Sequence, residues 1–227
     1  MAEPPQVDEH NFLDRLTAEE QARLAERSQR KSFDRGAVLF RQGEDGDDVL
    51  VLRSGRVKVS ARRAGREVIL AVFDAGALLG ELGAVDGNVR SATVSALEDV
   101  EVDIISHDEF MSLLERHPRV ATELLRLVAG RLRSTSLRQL EFGTMDALAR
   151  LCASLSELAT RYGTVRGDEI EIVTPFHQGE LASWSGISRE AVVKGFRQLR
   201  GLGWLSIEGR TLILRNPDAI RRRANGR

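Results

Sequence analysis

The sequence predicts an α+β fold in which a β-rich N-terminal unit, one long helix and a C-terminal helical unit follow one another. Three observations support this prediction. Short β-type runs separated by glycines fill residues 32–106, and the apolar period changes to about 3.6 residues at His107. A helix-turn-helix pattern followed by a hairpin then occupies residues 177–214. The predicted units are residues 1–116, 117–143 and 144–227.

The composition fits a globular chain of one or two domains. Of the 227 residues, 42% are hydrophobic, which is enough for an ordinary buried core. No apolar run approaches the roughly 20 residues of a membrane span, and the N-terminus lacks the basic and apolar segments of a signal peptide. We therefore expect a cytoplasmic protein without a membrane partner. The single cysteine, Cys152, stands in an apolar helical run and is expected to be a core residue.

Charge is divided unevenly along the chain. The net charge is −1, yet residues 144–227 hold 13 basic and 9 acidic side chains, whereas residues 1–143 hold 20 and 25. A basic C-terminal unit favours contact with an anionic partner such as nucleic acid.

The N-terminal unit is predicted to begin with helix and to continue as strands. The first ten residues form a lead-in, and residues 11–30 are expected to form one or two short helices with a capping box from Thr17 to Glu20. Short β-rich runs with turn residues between them then predict a barrel or sandwich. The predicted strands are 37–40, 49–52, 57–61, 67–73, 92–96 and 100–105.

Two helices follow the strands. Residues 107–116 are predicted to form a short helix that ends before Pro118, because the residue preceding a proline is driven out of the helical region. Residues 118–142 then form a long helix with a narrow apolar stripe. This stripe suits either pairing with a second copy of the helix or packing on the β unit, and periodicity does not decide between them. The stripe comprises Val120, Leu124, Leu127, Val128, Leu132, Leu137 and Leu140.

A helix-turn-helix is the most specific motif of the C-terminal unit. Residues 177–184 and 188–199 are predicted helices joined by a tight turn at Gly186, with Ser188 as the cap of the second helix. The motif favours DNA binding, and protein contact is the alternative.

Strands and a basic tail complete this unit. A hairpin after the motif forms a wing, and the arginines at the end of the chain either touch phosphates or are solvated and disordered. The predicted elements are a helix over 145–161, a turn region over 163–168, a strand over 169–173 and hairpin strands over 204–207 and 211–214.

The stretch with the most distinctive chemistry is residues 80–91, Gly-Glu-Leu-Gly-Ala-Val-Asp-Gly-Asn-Val-Arg-Ser. Backbone N–H groups at the glycines, the Arg90 guanidinium and the Ser91 hydroxyl can together hold a phosphate. Glu81 would repel a phosphate, so its expected partner is a hydroxyl donor such as a sugar. Phosphate and sugar together indicate a nucleotide. The alternative is a glycine-rich hairpin with a surface Glu and Arg.

The order of these parts resembles the CRP/FNR superfamily of bacterial transcription regulators, over residues 10–216. The resemblance implies an N-terminal cyclic-nucleotide-binding β-roll, which is a double-stranded β-helix or jelly roll. It also implies a long dimerisation helix and a C-terminal winged helix-turn-helix.

The same resemblance implies a nucleotide pocket of the cyclic-AMP branch, with cyclic GMP as the nearest competitor. The loop would hold the ribose and the cyclic phosphate, and a Thr-Ser pair on the long helix would contact the base, one residue from each subunit. The loop before Arg90 is one residue shorter than expected for that branch, which predicts a shift of Arg90 relative to Glu81. The implied ligand residues are Gly80, Glu81, Leu82, Arg90, Ser91, Thr135 and Ser136.

Other chemistries lack their residues in this sequence. An iron–sulfur sensor needs a cysteine cluster, and a haem sensor needs an axial ligand near the pocket. No nucleophile, base and orienting group stand in motif spacing, so neither an enzyme nor a metal site is expected. The histidines lie away from the predicted β loops, at His10, His107, His117 and His177.

The resemblance also implies how DNA would be read. The second helix of the motif enters the major groove, where Arg189 suits guanine, Glu190 suits cytosine, and Lys194 contacts guanine with less directional discrimination. We expect a palindromic operator with TGTGA-like half-sites, bound by a homodimer formed through helix 118–142, and RNA polymerase as a further partner. The expected phosphate contacts are Gln178, Ser188 and Arg210.

Two other functions stay open at the level of sequence. One is a regulator of the same fold that binds DNA without a nucleotide, and operator binding at full affinity by the protein alone would favour it. The other is a cyclic-nucleotide module that acts on a protein partner. Substitutions of Arg189 and Glu190 without effect on function would favour that second alternative.

Overall fold

A computed structural model describes residues 11–63, 65–174 and 176–226, apart from the side chains at 141 and 142. The predicted lead-in and His10 lie outside these residues. The chain divides into two compact units, Met1–Ser136 and Leu137–Arg227.

Two four-stranded antiparallel sheets form the β part of the first unit, as far as the described residues show. One sheet has the order β1-β8-β3-β6, and the other has the order β2-β7-β4-β5. Side chains such as Leu52, Phe73 and Val102 pack into one buried cluster from both sheets. The predicted β-roll is therefore confirmed. The strands are β1 (Gln29–Phe33), β2 (Val38–Phe40), β3 (Val49–Ser54), β4 (Val57–Arg63), β5 (Arg66–Phe73), β6 (Leu78–Leu79), β7 (Thr93–Ala96) and β8 (Val100–Ile105).

Strand β1 corrects the prediction that helix extends to residue 30. Its residues are mostly exposed and polar, so no apolar alternation marks them as a strand. Antiparallel pairing with β8 forms the strand instead. The two-residue strand β6 was also missed, since two leucines carry no period.

Helices α1, α3 and α4 follow the predicted period, whereas α2 lies in the stretch that the sequence predicts as a loop, and α4 continues into the second unit. Thr17 caps the first helix through a capping box, because its hydroxyl accepts from the Glu20 N–H and the Glu20 carboxylate accepts from the Thr17 N–H at 2.7 Å. His107 begins the third helix and His117 ends it, as predicted for helix-end residues. The helices are α1 (Ala18–Glu26), α2 (Glu81–Asp86), α3 (His107–Arg116) and α4 (Pro118–Thr144).

A buried carboxylate ties three neighbouring strands together. Asp103 on β8 is only 2% exposed and accepts hydrogen bonds from the Nε of Arg30 on β1, at 2.9 Å, and of Arg53 on β3, at 2.6 Å. Burial raises the pKa of Asp103, but the hydrogen bonds and charges of the two arginines lower it by more than burial raises it. The net shift of this pKa is therefore downward.

Asp103→Asn is expected to reduce the free energy of unfolding at neutral pH by about 2 kcal/mol, because it removes the shared counter-ion of two arginines. A carboxylate with a lowered pKa stabilises the fold above its unfolded pKa of about 4, and this contribution disappears as the pH falls through its folded pKa. Urea unfolding at several pH values measures the effect. A difference between wild type and D103N that stays constant below pH ~4 would contradict it.

The second unit combines helices with a four-stranded sheet of order β11-β12-β10-β9, within the described part of the chain. Cys152 lies in its core, fully buried, and burial raises the pKa of its thiol to about 11. The elements are α5 (Ala147–Tyr162), β9 (Gly163–Arg166), β10 (Glu169–Val173), α6 (Gln178–Ser185), α7 (Arg189–Gly201), β11 (Leu205–Glu208), β12 (Thr211–Leu214) and α8 (Pro217–Ala224).

Two elements of this unit correct the sequence prediction. Strand β9 occupies the predicted turn region, where Gly167 with φ of 62° makes a hairpin turn into β10. The terminal arginines, expected either to touch phosphates or to be solvated and disordered, begin within helix α8, which is capped by the Asn216 side chain and packed through buried Ile220. Its Arg223 pairs with Asp146 at 2.5 Å. Among the described residues, no helix is both long and apolar enough to span a membrane.

Candidate ligand pocket and candidate nucleic-acid interface

The stretch at 80–91 contains a short helix rather than only the loop that the sequence predicts. Gly80 adopts φ of 82° as the N-cap of α2, and Gly87 adopts φ of 68° at its end. Both conformations lie in the left-handed region that glycine occupies without strain. The glycines therefore shape the backbone on each side of α2, and the Gly87 N–H donates to the Gly83 carbonyl at 3.0 Å.

Arg90 lies between Gly80 and Asp48 and is 3% exposed. Its Nη2 donates to the main-chain carbonyl of Asp48 at 2.8 Å and to the Asp48 carboxylate, and its Nη1 donates to the Gly80 carbonyl at 3.1 Å. The guanidinium also lies over the Phe40 ring, 4.4 Å from the centroid. Although the loop is one residue shorter than expected, Arg90 still contacts the Gly80 carbonyl. Asp48, which sequence reasoning did not select, is its counter-ion.

Glu81 follows Gly80 and is buried, and its partner within the chain is a cation, which the sequence analysis did not select. Arg131 on α4 donates from Nη1 to Glu81 Oε1 at 2.6 Å and from Nη2 to the Leu78 carbonyl at 2.8 Å. The Arg131 guanidinium lies 4.4 Å from the Phe73 ring centroid. This second ion pair fixes the orientation of the Glu81 carboxylate and connects α4 to the β-roll. No hydrogen bond from a described residue reaches Glu81 Oε2.

The remaining predicted ligand residues are exposed. Leu82 lies on α2 with 44% of its surface accessible, and Ser91 follows Arg90 at the surface. Thr135 and Ser136 lie on α4 one turn beyond Arg131, and their hydroxyls donate to the carbonyls of Arg131 and Leu132 at 2.8 and 2.9 Å. One chain therefore brings Gly80, Glu81 and Arg90 together, whereas the Thr-Ser pair faces outward.

The packing interpretation of the long helix holds for its first half, whereas pairing with a second copy stays a prediction. Val120, Leu124 and Leu127 are buried in a cluster with α1, α3 and β3, which is the packing interpretation. Four leucines of α4, three of them in its second half, are more than 60% exposed, which is unusual for so many large apolar side chains on one helix. The exposed leucines of α4 are Leu125, Leu132, Leu137 and Leu140.

The helix-turn-helix of the second unit has the predicted turn and caps. Gly186 ends α6 with φ of 62°, and the Ser188 hydroxyl accepts from the Ala191 N–H at 3.1 Å to start α7. His177 is the N-cap of α6, where its ring nitrogen accepts from the Gly179 and Glu180 N–H groups at 3.1 and 3.2 Å. His177 thus has a structural role in this unit.

The side chains expected to meet DNA are all exposed in this unit. Arg189 lies against Gly179 of α6, where a Cβ would come within 3.0 Å of its Nε. Hydrogen bonds from its own N–H and from the Ser188 hydroxyl hold the pKa of Glu190 below its usual value, so Glu190 is an acceptor at neutral pH. The exposed residues are Gln178, Ser188, Arg189, Glu190, Lys194 and Arg210.

Two further features of this surface were not selected from the sequence. Arg197 is exposed on α7 one turn beyond Lys194, a position that helical spacing could have identified. The wing is fixed at its tip, because the Arg210 carbonyl accepts from the Thr174 N–H at 3.2 Å. Arg210 therefore projects from an anchored backbone.

Two known families match the chain, one in each unit. The cyclic nucleotide-binding domain matches residues 30–117, and the Crp-like helix-turn-helix domain matches residues 149–223.

Relatives resemble the chain over most of its length. The CRP-like cAMP-activated global transcriptional regulator of Mycobacterium tuberculosis is 30% identical over 204 residues, which cover 89% of this chain and 91% of the relative. The cAMP-activated global transcriptional regulator CRP of Salmonella typhimurium is 29% identical over 183 residues, 78% of this chain and 85% of the relative. The solved structure of the c-di-GMP responsive global regulator CLP of Xanthomonas campestris aligns with a TM-score of 0.80 and 22% identity, over 87% of this chain and 99% of that one.

Proposed function

This chain belongs to the CRP/FNR family of cyclic-nucleotide-binding transcription regulators, and from that premise we propose that cyclic AMP is the nucleotide that controls it. The observation that carries the proposal is that two buried side chains of opposite charge meet the chain at Gly80, because Arg90 donates to the Gly80 carbonyl and Glu81 is the next residue. A cation for a phosphate and an anion for a sugar hydroxyl are the two groups that a cyclic nucleotide requires. Members of this family bind DNA and are not enzymes.

In this proposal, different pocket residues contact the phosphate and the ribose of the nucleotide. The Arg90 guanidinium and the Ser91 hydroxyl take the cyclic phosphate, since charge-assisted hydrogen bonds to phosphate are the strong ones. Glu81 accepts from the ribose 2′-hydroxyl through Oε2, while Arg131 keeps Oε1 occupied. Gly80 and Leu82 flank Glu81 at the start of α2 and line the pocket wall.

The base contacts come from two chains. Thr135 and Ser136 point away from the body of their own unit, so a partner helix can place a second Thr-Ser pair against the same base. Their hydroxyls can leave the helix carbonyls, where they make weak local bonds, and donate or accept at the base edge. The choice of adenine rests on the cyclic-AMP-activated relatives, and guanine is the nearest competitor because a hydroxyl can donate or accept.

A homodimer formed through α4 supplies the partner helix. The exposed leucines of the second half of α4 recur along one helix at a spacing that suits pairing with an identical stripe. A two-fold dimer places two winged helix-turn-helix units on an inverted repeat of TGTGA-like half-sites, about one helical turn apart. Such a regulator acts on chromosomal DNA in the cytoplasm, with RNA polymerase as the partner it would recruit or exclude.

Calorimetric titration with cyclic AMP, cyclic GMP and cyclic di-GMP tests the ligand. We expect cyclic AMP to bind most tightly, by about tenfold over cyclic GMP, because one base-specific hydrogen-bond set separates them. Operator binding by fluorescence anisotropy is then measured with and without the best ligand, and we expect cyclic AMP to tighten it. Tighter binding of either guanine nucleotide would contradict the choice of ligand. Full operator affinity without any nucleotide would favour the ligand-independent alternative.

A further inference from the structure

We propose that Asp48 is a built-in competitor of the nucleotide phosphate and limits how tightly this protein binds its ligand. The inference rests on the proposed function, because it concerns the same pocket. Its basis is that Asp48 offers Arg90 two acceptors, a carboxylate and a main-chain carbonyl, and both take hydrogens from Nη2. The arginine that a phosphate needs is thus already paired with an anion of the protein itself.

The hydrogen bonds of Arg90 define what a phosphate must displace. A guanidinium has five N–H donors, and described residues accept from three of them, two toward Asp48 and one toward the Gly80 carbonyl. An incoming phosphate either takes the donor held by the Asp48 carboxylate or binds beside it. In both cases two anions compete for one cation within a few ångströms, and like charges at that distance repel.

The arginine itself has little freedom to move away from this competition. Phe40 lies against one face of the guanidinium, and Gly46 approaches it so closely that a Cβ would stand 3.0 Å from Nε. A Cβ at Gly80 would collide with Nη1. Arg90 is therefore held in place, whereas the Asp48 side chain is 42% exposed and can turn toward water. When phosphate binds, the Asp48 side chain moves away and Arg90 stays in place.

Removing the charge of Asp48 has two opposite effects. Asparagine keeps the shape and one acceptor for Arg90 but does not repel a phosphate, so nucleotide binding becomes tighter. Without nucleotide, the same change leaves a buried guanidinium lacking its counter-ion, which lowers the stability of the unit. Asp48 thus stabilises the fold at the expense of nucleotide affinity.

The test compares wild type, Asp48→Asn and the matched control Asp47→Asn by titration with cyclic AMP and cyclic GMP. Asp47 is the adjacent exposed carboxylate, and the hydrogen bonds of Arg90 go to Asp48 and Gly80 instead. We expect D48N to lower the Kd of the better ligand about tenfold and D47N to change it less than about twofold. Thermal unfolding should show a lower midpoint for D48N without nucleotide and a larger rise on adding it. Asp48→Ser serves as a second variant, with the same expected gain, in case D48N does not fold.

Each outcome decides a different claim. If wild type binds and both Asp48 variants bind equally or more weakly, Asp48 positions Arg90 and the competitor role is wrong, while the proposed ligand stands. If D47N gains as much nucleotide affinity as D48N, the gain comes from the change in net charge, and the assignment of the competitor role to Asp48 is wrong. If wild type and all variants bind neither nucleotide, the proposed function fails together with this inference.

Discussion

Arg90→Leu is expected to lower nucleotide affinity about 100-fold and to abolish nucleotide-stimulated operator binding, because Arg90 is the one buried basic side chain among the residues that the structure describes and is the cation proposed for the phosphate. The Arg131 charge is already committed to Glu81 and the Leu78 carbonyl. Calorimetric titration gives the affinity, and fluorescence anisotropy with an operator duplex gives the stimulation. The fold should survive, because Asp48 lies at the rim and water can solvate its carboxylate when Arg90 is gone.

A matched control keeps this result interpretable. Arg66→Leu removes an exposed arginine from β5 of the same unit and changes the net charge equally. We expect that variant to bind nucleotide as wild type does, within about twofold. If nucleotide stimulates operator binding by R90L as strongly as by wild type, the proposed pocket is wrong. An equal loss in R66L would assign the effect to net charge and not to the phosphate site.

The sequence predicts the parts of this pocket but not how they are paired. Arg90 and Glu81 stand out because their chemistry and their glycines fall within one short stretch. Their counter-ions do not, because Asp48 is 42 residues from Arg90 and Arg131 is 50 residues from Glu81, and only the tertiary fold brings them together. A local motif therefore predicts which charges are present, whereas the cost and the strength of ligand binding depend on residues outside the motif.

The same distinction explains the errors in the fold. Strands with a buried face, such as β3 and β8, show runs of apolar residues and are found at the predicted places. β1 is exposed and polar, and its strand conformation comes from pairing with β8 across some seventy residues of chain. The arginines at the end of the chain were predicted either to touch phosphates or to be solvated and disordered, yet Arg221, Arg222 and Arg223 lie on helix α8, whose Ile220 is buried within the second unit. The local hydrophobic period does not predict an element whose conformation depends on pairing with a residue far away in the sequence.

Arg189→Ala is expected to weaken operator binding about 100-fold while leaving nucleotide affinity unchanged. A bidentate arginine–guanine contact contributes about 1–3 kcal/mol of discrimination, and a two-fold dimer loses it in both half-sites. The Arg189 guanidinium lies close to Gly179 of α6, and the planar arginine fork loses less side-chain entropy per hydrogen bond than a flexible ammonium. Anisotropy with a TGTGA inverted repeat and single-base variants, at one fixed salt concentration, measures both the loss and the base at which it occurs.

Two comparison variants separate base reading from charge. Glu190→Ala should relax discrimination at its own base pair, since an ionised carboxylate there can only accept and so selects the cytosine amino group. Arg197→Ala, which removes an exposed cation one turn beyond Lys194, should weaken all sequences alike and reduce the salt dependence by about one counter-ion per subunit. If R189A instead behaves like R197A, losing affinity uniformly and with the salt slope, Arg189 contacts phosphate and α7 does not read its operator there. If R189A and E190A leave operator binding intact, the winged unit serves a protein partner, and the nucleotide pocket controls that contact instead of a DNA complex.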